Sequence, residues 1–143
     1  MANYECTVRT NYFHVKDEEA FRKLMEGIVS EYGIELFEKN DPEGEKLFGF
    51  GSYGSLYGIC KDSEEDDDEY DEKEVLYQKL QSCVAEDDAV IILTAGNEHL
   101  RYVTGDAVCI THDKIEYLDL TCLAVAKAAE MLNNPLYSTV CEY

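Results

Sequence analysis

Basic residues are scarce in this chain: 12 Lys and Arg stand against 31 Asp and Glu, so the formal charge is −19. Nucleic-acid affinity comes largely from neutralising phosphates, so this scarcity disfavours RNA or DNA as a direct ligand. A net charge of about 2 to 8 in magnitude is enough to keep a small domain soluble. The surplus of carboxylates therefore indicates either a basic partner or simply a very soluble protein, as in halophiles.

Long hydrophobic runs and paired cysteines are also missing. No 18 apolar residues run together, and residues 1–16 alternate between polar and apolar instead of forming a charged start with an apolar segment behind it. We therefore expect neither secretion nor a membrane span. Without any C-x-x-C pair, we expect free, buried thiols in a reducing cytoplasm, with no disulfide and no zinc site, at Cys6, Cys60, Cys83, Cys109, Cys122 and Cys141.

Proline is nearly absent, with two residues, while 45% of the chain is hydrophobic. This composition is typical of a folded chain and not of a disordered one. The length of 143 residues is close to the commonest size of one domain. We predict a single domain over residues 1–143, with an acidic loop and helix start at residues 62–74.

The first half of the chain predicts one helix among strands. Two-residue alternation from Tyr4 predicts a strand ending near Val15, and Asp17 is positioned to cap a helix that Gly33 would end. Residues 34–39 and 46–53 predict a hairpin around a turn at residues 40–44, with a further short strand at residues 55–60.

The second half predicts two helices and several meander-like strands. A helix should begin in the acidic residues before Val75. Its apolar side would comprise Val75, Leu76, Leu80, Cys83 and Val84. Strands are expected at residues 89–94, 101–111, 115–119 and 137–143, with a turn at residues 96–98 and an interruption at residues 105–106. Thr121 would cap a third helix whose packed face is expected to comprise Cys122, Val125, Ala126, Ala129 and Leu132.

This order predicts an α+β fold, an antiparallel sheet with helices on one face. The first six elements follow the βαββαβ order of a ferredoxin-like core, with a C-terminal ββ(β)αβ extension.

Residues 46–54 contain two motif-like patterns. Gly49-Phe50-Gly51-Ser52-Tyr53-Gly54 matches G-x-G-x-x-G, but no helix is expected after it, so a dinucleotide site is disfavoured. The same stretch resembles the RNP1 segment of RNA-recognition motifs, which places Phe48, Phe50 and Tyr53 as alternative nucleic-acid-stacking residues. Leu47 and Gly51 depart from that pattern, and packing within the sheet is the favoured interpretation of these aromatics.

No catalytic or metal pattern stands out. Neither frame of residues 62–77 places glycine and glutamate as an EF-hand requires, so only weak divalent binding is expected there. His14, His99 and His112 are interpreted as structural, and Cys109 with His112 supplies too few ligands for a metal site. We predict no cofactor and no enzyme activity, although a small enzyme whose groups converge only in space stays an alternative.

The run from Asp62 to Glu74 contains ten acidic residues and one lysine, a net charge of −9. If helical, it would carry roughly one charge per 2 Å, against about 1.7 Å for duplex DNA. We predict an acidic module that engages a basic protein surface, with a nucleic-acid mimic as one form of this hypothesis. The partner-binding residues would be Asp62, Glu64, Glu65, Asp66, Asp67, Asp68, Glu69, Tyr70, Asp71, Glu72, Tyr53 and Tyr57. The aromatic anchors would come from Tyr53, Tyr57, Tyr70 and Tyr77, which flank the run.

Three stretches resemble small uncharacterised acidic proteins of plasmids and phages of Gram-positive bacteria: Asn11-Tyr12-Phe13, Gly49-Phe50-Gly51-Ser52-Tyr53-Gly54 and Leu100-Arg101-Tyr102-Val103-Thr104-Gly105. The resemblance is spread over the whole chain and carries over no functional residue. It implies an accessory role, such as an inhibitor of a nucleic-acid-binding defence enzyme or an antidote to a basic toxin.

Overall fold

The structure, a computed structural model, describes residues 4–59, 71–100 and 102–138. These residues form strands and helices in the following order: β1 Glu5–Thr10, α1 Glu18–Glu26, β2 Ile28–Ser30, β3 Glu35–Asn40, β4 Lys46–Tyr53, β5 Leu56–Ile59, α2 Glu72–Cys83, β6 Val90–Glu98, β7 Tyr102–Ile110, β8 Ile115–Asp119 and α3 Leu120–Met131.

Six of the strands form one antiparallel sheet in the order β3-β4-β1-β6-β7-β8. The other two, β2 and β5, pair with each other in a separate small sheet. The predicted α+β class with an antiparallel sheet is therefore confirmed. The simple βαββαβ sequence of elements is interrupted, because β2 and β5 are inserted on either side of the β3–β4 hairpin.

Alternation along the central strands gives the large sheet one buried and one open face. Val8, Phe48, Phe50, Val90 and Ile92 are buried together with the inner sides of α1 and α2. The residues between them point to the opposite face, which these two helices do not cover. The third helix instead contacts β7 and β8. We refer to the face turned away from α1 and α2 as the open face.

The first helix begins as predicted and ends earlier. Asp17 caps it, since its carboxylate accepts hydrogen bonds from the backbone N–H groups of Glu19 and Ala20. The predicted end at Gly33 is wrong, because the helix closes at Gly27, whose N–H bonds back to the last turn. Residues 28–30 form β2 and pair with β5. The extended conformation suits the two β-branched residues at the start of β2, Ile28 and Val29.

The predicted hairpin is confirmed, with β4 at the expected residues and β3 one residue later than expected. The first two glycines of its G-x-G-x-x-G stretch, Gly49 and Gly51, lie within β4 and allow close strand pairing. A Cβ at Gly51 would lie 2.8 Å from the carbonyl oxygen of Val8, so β1 and β4 can approach only because this side chain is absent. The stretch continues through Gly54 into β5 and not into a helix, as expected.

The predicted second helix and β8 are confirmed. The turn predicted at residues 96–98 and the interruption predicted at residues 105–106 are wrong. Asp71 caps α2, and Leu76 and Leu80 are buried. Residues 96–98 lie inside β6, and Gly105 and Asp106 pair regularly within β7. The chain instead turns beyond Glu98, where His99 adopts a positive φ of 50°.

The third helix forms between β8 and Asn133, but its cap and its packing differ from prediction. Asp119, not Thr121, accepts the hydrogen bond from the N–H of Cys122. None of its residues is buried, so the predicted packed face is wrong. Of the predicted last strand, residues 137 and 138 are not in a strand and residues 139–143 lie outside the described part.

The described cysteines are free, as predicted, at positions 6, 83, 109 and 122. They are less buried than predicted, since Cys122 is exposed and the other three are half-buried. Burial raises the pKa of the Cys83 thiol, which keeps it protonated. Cys60 and Cys141 lie outside the described residues. Among the described helices, none has the length and apolar character to cross a membrane.

Three phenylalanine rings form the centre of the core. Phe21 of α1 lies 5.6 Å from the ring of Phe13, edge to face, and 5.1 Å from the ring of Phe48 on β4. All three side chains are almost completely inaccessible to solvent. Aromatic pairs at these distances add to the free energy gained by burial, so this cluster fixes α1 on the sheet.

We expect Phe21→Ala to lower the free energy of unfolding by about 3–5 kcal/mol, because it leaves a cavity between Phe13 and Phe48. Urea unfolding followed by circular dichroism measures this loss. Leu136→Ala is the control, since Leu136 is 90% exposed and its replacement should change the free energy by no more than about 0.5 kcal/mol. Equal losses in the two variants would contradict this account of the core.

Candidate functional site

The open face of the sheet carries cations at one end. The guanidinium of Arg9 lies 4.1 Å from the ring centre of Phe37, and Nζ of Lys39 lies 4.4 Å from the ring centre of Tyr12. In such contacts, the positive charge of the side chain is attracted to the electron-rich face of the aromatic ring. Arg9 of β1 thus lies over a ring of β3, and Lys39 of β3 lies over a ring just beyond β1.

An open cleft of about 840 Å³ lies at the end of the sheet where β1 begins, and residues from both faces of the sheet line it. Residues of β1, the β2–β3 connection, the end of β4 and the β6–β7 end of the sheet line it. We call it the tyrosine cleft, after the rings of Tyr4, Tyr32 and Tyr53 on its walls. Its other lining residues are Glu5, Cys6, Thr7, Glu31, Gly54, Ala95, Gly96, Asn97, His99, Val103 and Thr104.

Two glycines make room for the walls of the cleft. At Gly96 an added Cβ would overlap the hydroxyl end of Tyr4, whose oxygen lies 2.7 Å from the hydroxyl of Thr104. At Gly54, where φ is +82°, an added Cβ would meet the side chains of Glu31 and Tyr32. The chain can therefore turn from β4 into β5 directly beneath these two side chains.

Glu31 fixes the wall that carries Tyr32. Its carboxylate accepts a hydrogen bond from the N–H of Ser55 at 3.1 Å, and its own N–H donates to the carbonyl of Ser55 at 2.8 Å. The negative charge of Glu31, together with a hydrogen bond between the two side chains, raises the pKa of the Tyr32 hydroxyl. That hydroxyl therefore stays protonated, with its hydrogen donated to the carboxylate of Glu31.

The charge within the cleft is negative. Glu5 and Glu31 contribute two carboxylates, and no lysine or arginine is found among the described residues that line it. The tyrosines are accessible, with 75% of Tyr32 and 70% of Tyr53 exposed. Exposed phenol rings beside unneutralised carboxylates form a surface suited to cationic side chains.

The predicted partner-binding residues fall into three groups: those outside the described residues, those at the start of α2, and two tyrosines near the cleft. Asp62, Glu64, Glu65, Asp66, Asp67, Asp68, Glu69 and Tyr70 lie outside the described residues. Asp71 and Glu72 form the cap and first residue of α2, and the Asp71 carboxylate accepts hydrogen bonds from the N–H groups of Lys73 and Glu74. Tyr53 lines the cleft, and Tyr57 is about half exposed on β5 and close enough to influence the hydroxyl of Tyr32.

The alternative stacking residues do not share a surface. Phe48 and Phe50 are buried in the core, 1% and 0% exposed, on the face that the helices cover. Tyr53 points to the opposite face of β4. The expectation that these three aromatics could stack bases together is therefore wrong for this arrangement, whereas the preferred interpretation of Phe48 and Phe50 as packing residues is confirmed.

The histidines occupy three different environments. His99 lines the tyrosine cleft, and Nδ1 of His112 lies 3.9 Å from the carboxylate of Asp113 in the β7–β8 turn. His14 lies between two carboxylates: hydrogen bonds to Asp41, and then to Asp88, raise the pKa of its imidazole. Among the described residues, one group of histidine and carboxylate side chains is able to hold a metal ion with one ligand atom from each of three residues. It consists of His14, Asp41 and Glu45.

Sequence reasoning missed Tyr4, Glu5, Glu31 and Tyr32 as members of a site. Helical spacing assigned Tyr32 to the end of α1, which hid its place on the connection from β2 to β3. The residues come from segments far apart in the chain, so only the sheet topology brings them together.

Searches against protein-family models, curated proteins and solved structures found no match to this chain.

We expect Glu31→Gln to lower the pKa of Tyr32 towards its ordinary value of 10.0, because the substitution removes the charge that disfavours the phenolate and leaves an oxygen to accept from Ser55. An NMR-monitored pH titration of the tyrosine side chains measures the change. Tyr77 serves as the internal control, since burial is the main cause of its raised pKa. An unaltered Tyr32 titration would show that the two side chains are not adjacent in solution.

Proposed function

We propose that this protein is an acidic binding module that engages a basic protein surface, with the tyrosine cleft at the centre of the contact. The observation that carries the proposal is the meeting of exposed Tyr32 and Tyr53 with the carboxylates of Glu5 and Glu31 in one open cleft. The overall charge of −19 supports it, because such a chain attracts cationic surfaces over a distance.

The cleft has the size and chemistry to receive lysine or arginine side chains. Its volume of about 840 Å³ falls within the range of roughly 300–1,000 Å³ that is typical of ligand pockets. A guanidinium can stack on a tyrosine ring while its N–H groups donate to a carboxylate. Tyrosine is also among the residue types that contribute most to protein interfaces.

The acidic run supports the same proposal through its attachment points. The chain enters it from β5, the strand that carries Tyr57, and leaves it into α2. A Cβ at Gly58 would overlap the backbone of Glu72, so the two flanks of the run are in direct contact. In this proposal the run speeds association with a basic partner, and the tyrosines supply most of the binding free energy.

Two further aspects of the proposal concern what the acidic run imitates and where the protein acts. The run, with its net charge of −9, would act as a nucleic-acid mimic, and the resemblance to plasmid and phage proteins favours an inhibitor or antidote acting in a bacterial cytoplasm.

We also propose a ferredoxin-like core, supported by the order β3-β4-β1-β6 with α1 and α2 on one face. In such a core, the strands of the β1–α1–β3 unit alternate in the sheet with those of the β4–α2–β6 unit, as in the split βαβ motif.

We expect Tyr53→Ala to weaken binding to an arginine- and lysine-rich peptide about tenfold, because an exposed aromatic anchor is lost. Fluorescence anisotropy of the labelled peptide measures the dissociation constant. Tyr117→Ala is the matched control, since Tyr117 is 64% exposed and lies outside the cleft. If the peptide binds both variants as tightly as the wild type, the cleft is not the contact centre.

We expect Asp66, Asp67 and Asp68 changed together to Asn to slow association with the same peptide at low salt and to flatten its salt dependence, because charge steering is reduced. Stopped-flow measurements over a series of salt concentrations give the on-rates. The dissociation rate should change much less. An unchanged on-rate at low salt would remove the steering role.

A direct titration with single-stranded RNA separates this proposal from nucleic-acid binding. The proposal expects no saturable binding of RNA, whereas capture from a native extract at low salt should yield basic proteins that salt elutes. Saturable RNA binding that depends on Tyr53 would overturn it.

A further inference from the structure

A second cleft, of about 580 Å³, lies at the other end of the core from the tyrosine cleft and is lined in part by His14, Asp41 and Glu45. His14 follows β1, the two carboxylates belong to the β3–β4 turn, and Asp88 approaches from the α2–β6 connection. The proposed binding function uses none of these four side chains.

Asp88 fixes the orientation of the His14 ring. One oxygen of its carboxylate, Oδ2, accepts the backbone N–H of His14 at 2.8 Å and lies 2.9 Å from Nδ1 of the ring. Since an ionised carboxylate only accepts hydrogen bonds, Nδ1 carries a hydrogen. The other ring nitrogen, Nε2, is therefore the atom presented to the remaining carboxylates.

Asp41 is held with one oxygen facing that nitrogen. Its Oδ1 accepts the N–H groups of Glu43 and Glu45, both at 2.9 Å, within the turn. Its Oδ2 is thereby directed at Nε2 of His14, 2.8 Å away. A carboxylate oxygen of Glu45 lies 3.7 Å from the same nitrogen. The ligand atoms of His14, Asp41 and Glu45 all fall within 4.8 Å of one another.

The charges around the ring favour a cation. Three carboxylates face one imidazole, so the group stays negative even when the imidazole is protonated. Lys46, next to Glu45 in sequence, does not neutralise it, because Nζ of Lys46 is bonded to Glu18 at 3.0 Å. The Glu45 side chain is 69% exposed, which leaves one side of the group accessible to an ion and to water.

We propose that His14 Nε2 and the carboxylates of Asp41 and Glu45 bind a Zn²⁺ ion, with water completing the coordination. Metal–ligand distances of about 2.0–2.2 Å require ligand atoms roughly 3–3.5 Å apart. Oδ2 of Asp41, 2.8 Å from Nε2, must therefore move slightly away from the ring, and the exposed Glu45 side chain must rotate. Asp88 is then the outer carboxylate that orients a metal-bound imidazole. By the argument that places a hydrogen on Nδ1, Nε2 also carries one in the metal-free protein, because it lies 2.8 Å from Oδ2 of Asp41. Zinc binding displaces this proton to solvent.

The imidazole ligand favours zinc over calcium and magnesium, because those two ions prefer oxygen ligands alone. This preference also separates the site from the acidic run of residues 62–74, where weak binding of divalent ions through carboxylates is expected. A zinc-specific signal that depends on His14 and Glu45 cannot come from that run.

The test is a calorimetric titration of the full chain with Zn²⁺, and NMR of the histidine ring nitrogens identifies the ligand. We expect one saturable zinc site and a large shift of Nε2 of His14. Glu45→Gln should weaken zinc binding by at least about tenfold while leaving thermal unfolding of the metal-free protein unchanged. Glu43→Gln makes the same change of charge two residues away in the same turn and should leave the affinity within about twofold.

Absence of saturable binding would overturn the proposal, as would an equal loss of affinity in the Glu45 and Glu43 variants. Zinc bound through thiols would also overturn it. Substitution with Co²⁺ reveals that case, because thiolate ligands give a sulfur-to-cobalt charge-transfer band that a nitrogen and oxygen site lacks. Asp88→Asn adds a second readout, with an expected loss of about 10- to 100-fold in zinc affinity.

Discussion

Packing of α1 and α2 against a single face of the six-stranded sheet determines how the rest of the molecule is arranged. The buried ring cluster of Phe13, Phe21 and Phe48 joins the first helix to the sheet, and Leu76 and Leu80 join the second. Since apolar side chains alternate along each strand, burying one face leaves the other open. The open face carries Arg9 and Lys39 over aromatic rings, and the tyrosine cleft lies at the end of the sheet where β1 begins, lined from both faces.

The local parts of this fold were predictable because short-range patterns encode them. Asp17 caps α1 through its own carboxylate, as predicted, and β4 and β8 have the predicted bounds. The end of α1 was not predictable in the same way. Residues 28 and 29 continue the helical spacing of apolar residues and also suit a strand, and pairing with the distant β5 selects the strand.

Glycine gave the least reliable signals. Gly96 and Gly105 indicated turns, yet both lie in regular strands. Gly96 makes room for the Tyr4 side chain across the sheet, and an added Cβ at Gly105 would crowd Leu120 of α3. A glycine required by a neighbour from another part of the chain cannot be distinguished, in one sequence, from a glycine required by a turn. The same limit applies to the clefts, whose residues meet only after the strands have paired.

In the proposed function, a cationic protein surface binds the carboxylates and exposed tyrosine rings that meet in the tyrosine cleft. The most direct measurement is NMR chemical-shift mapping of the full chain during titration with an arginine- and lysine-rich peptide. We expect the largest shifts around Tyr4, Tyr32 and Tyr53, with little change on the outer side of α1. Shifts centred on α3 or on the Arg9 end of the sheet, or no saturable shifts at all, would contradict it.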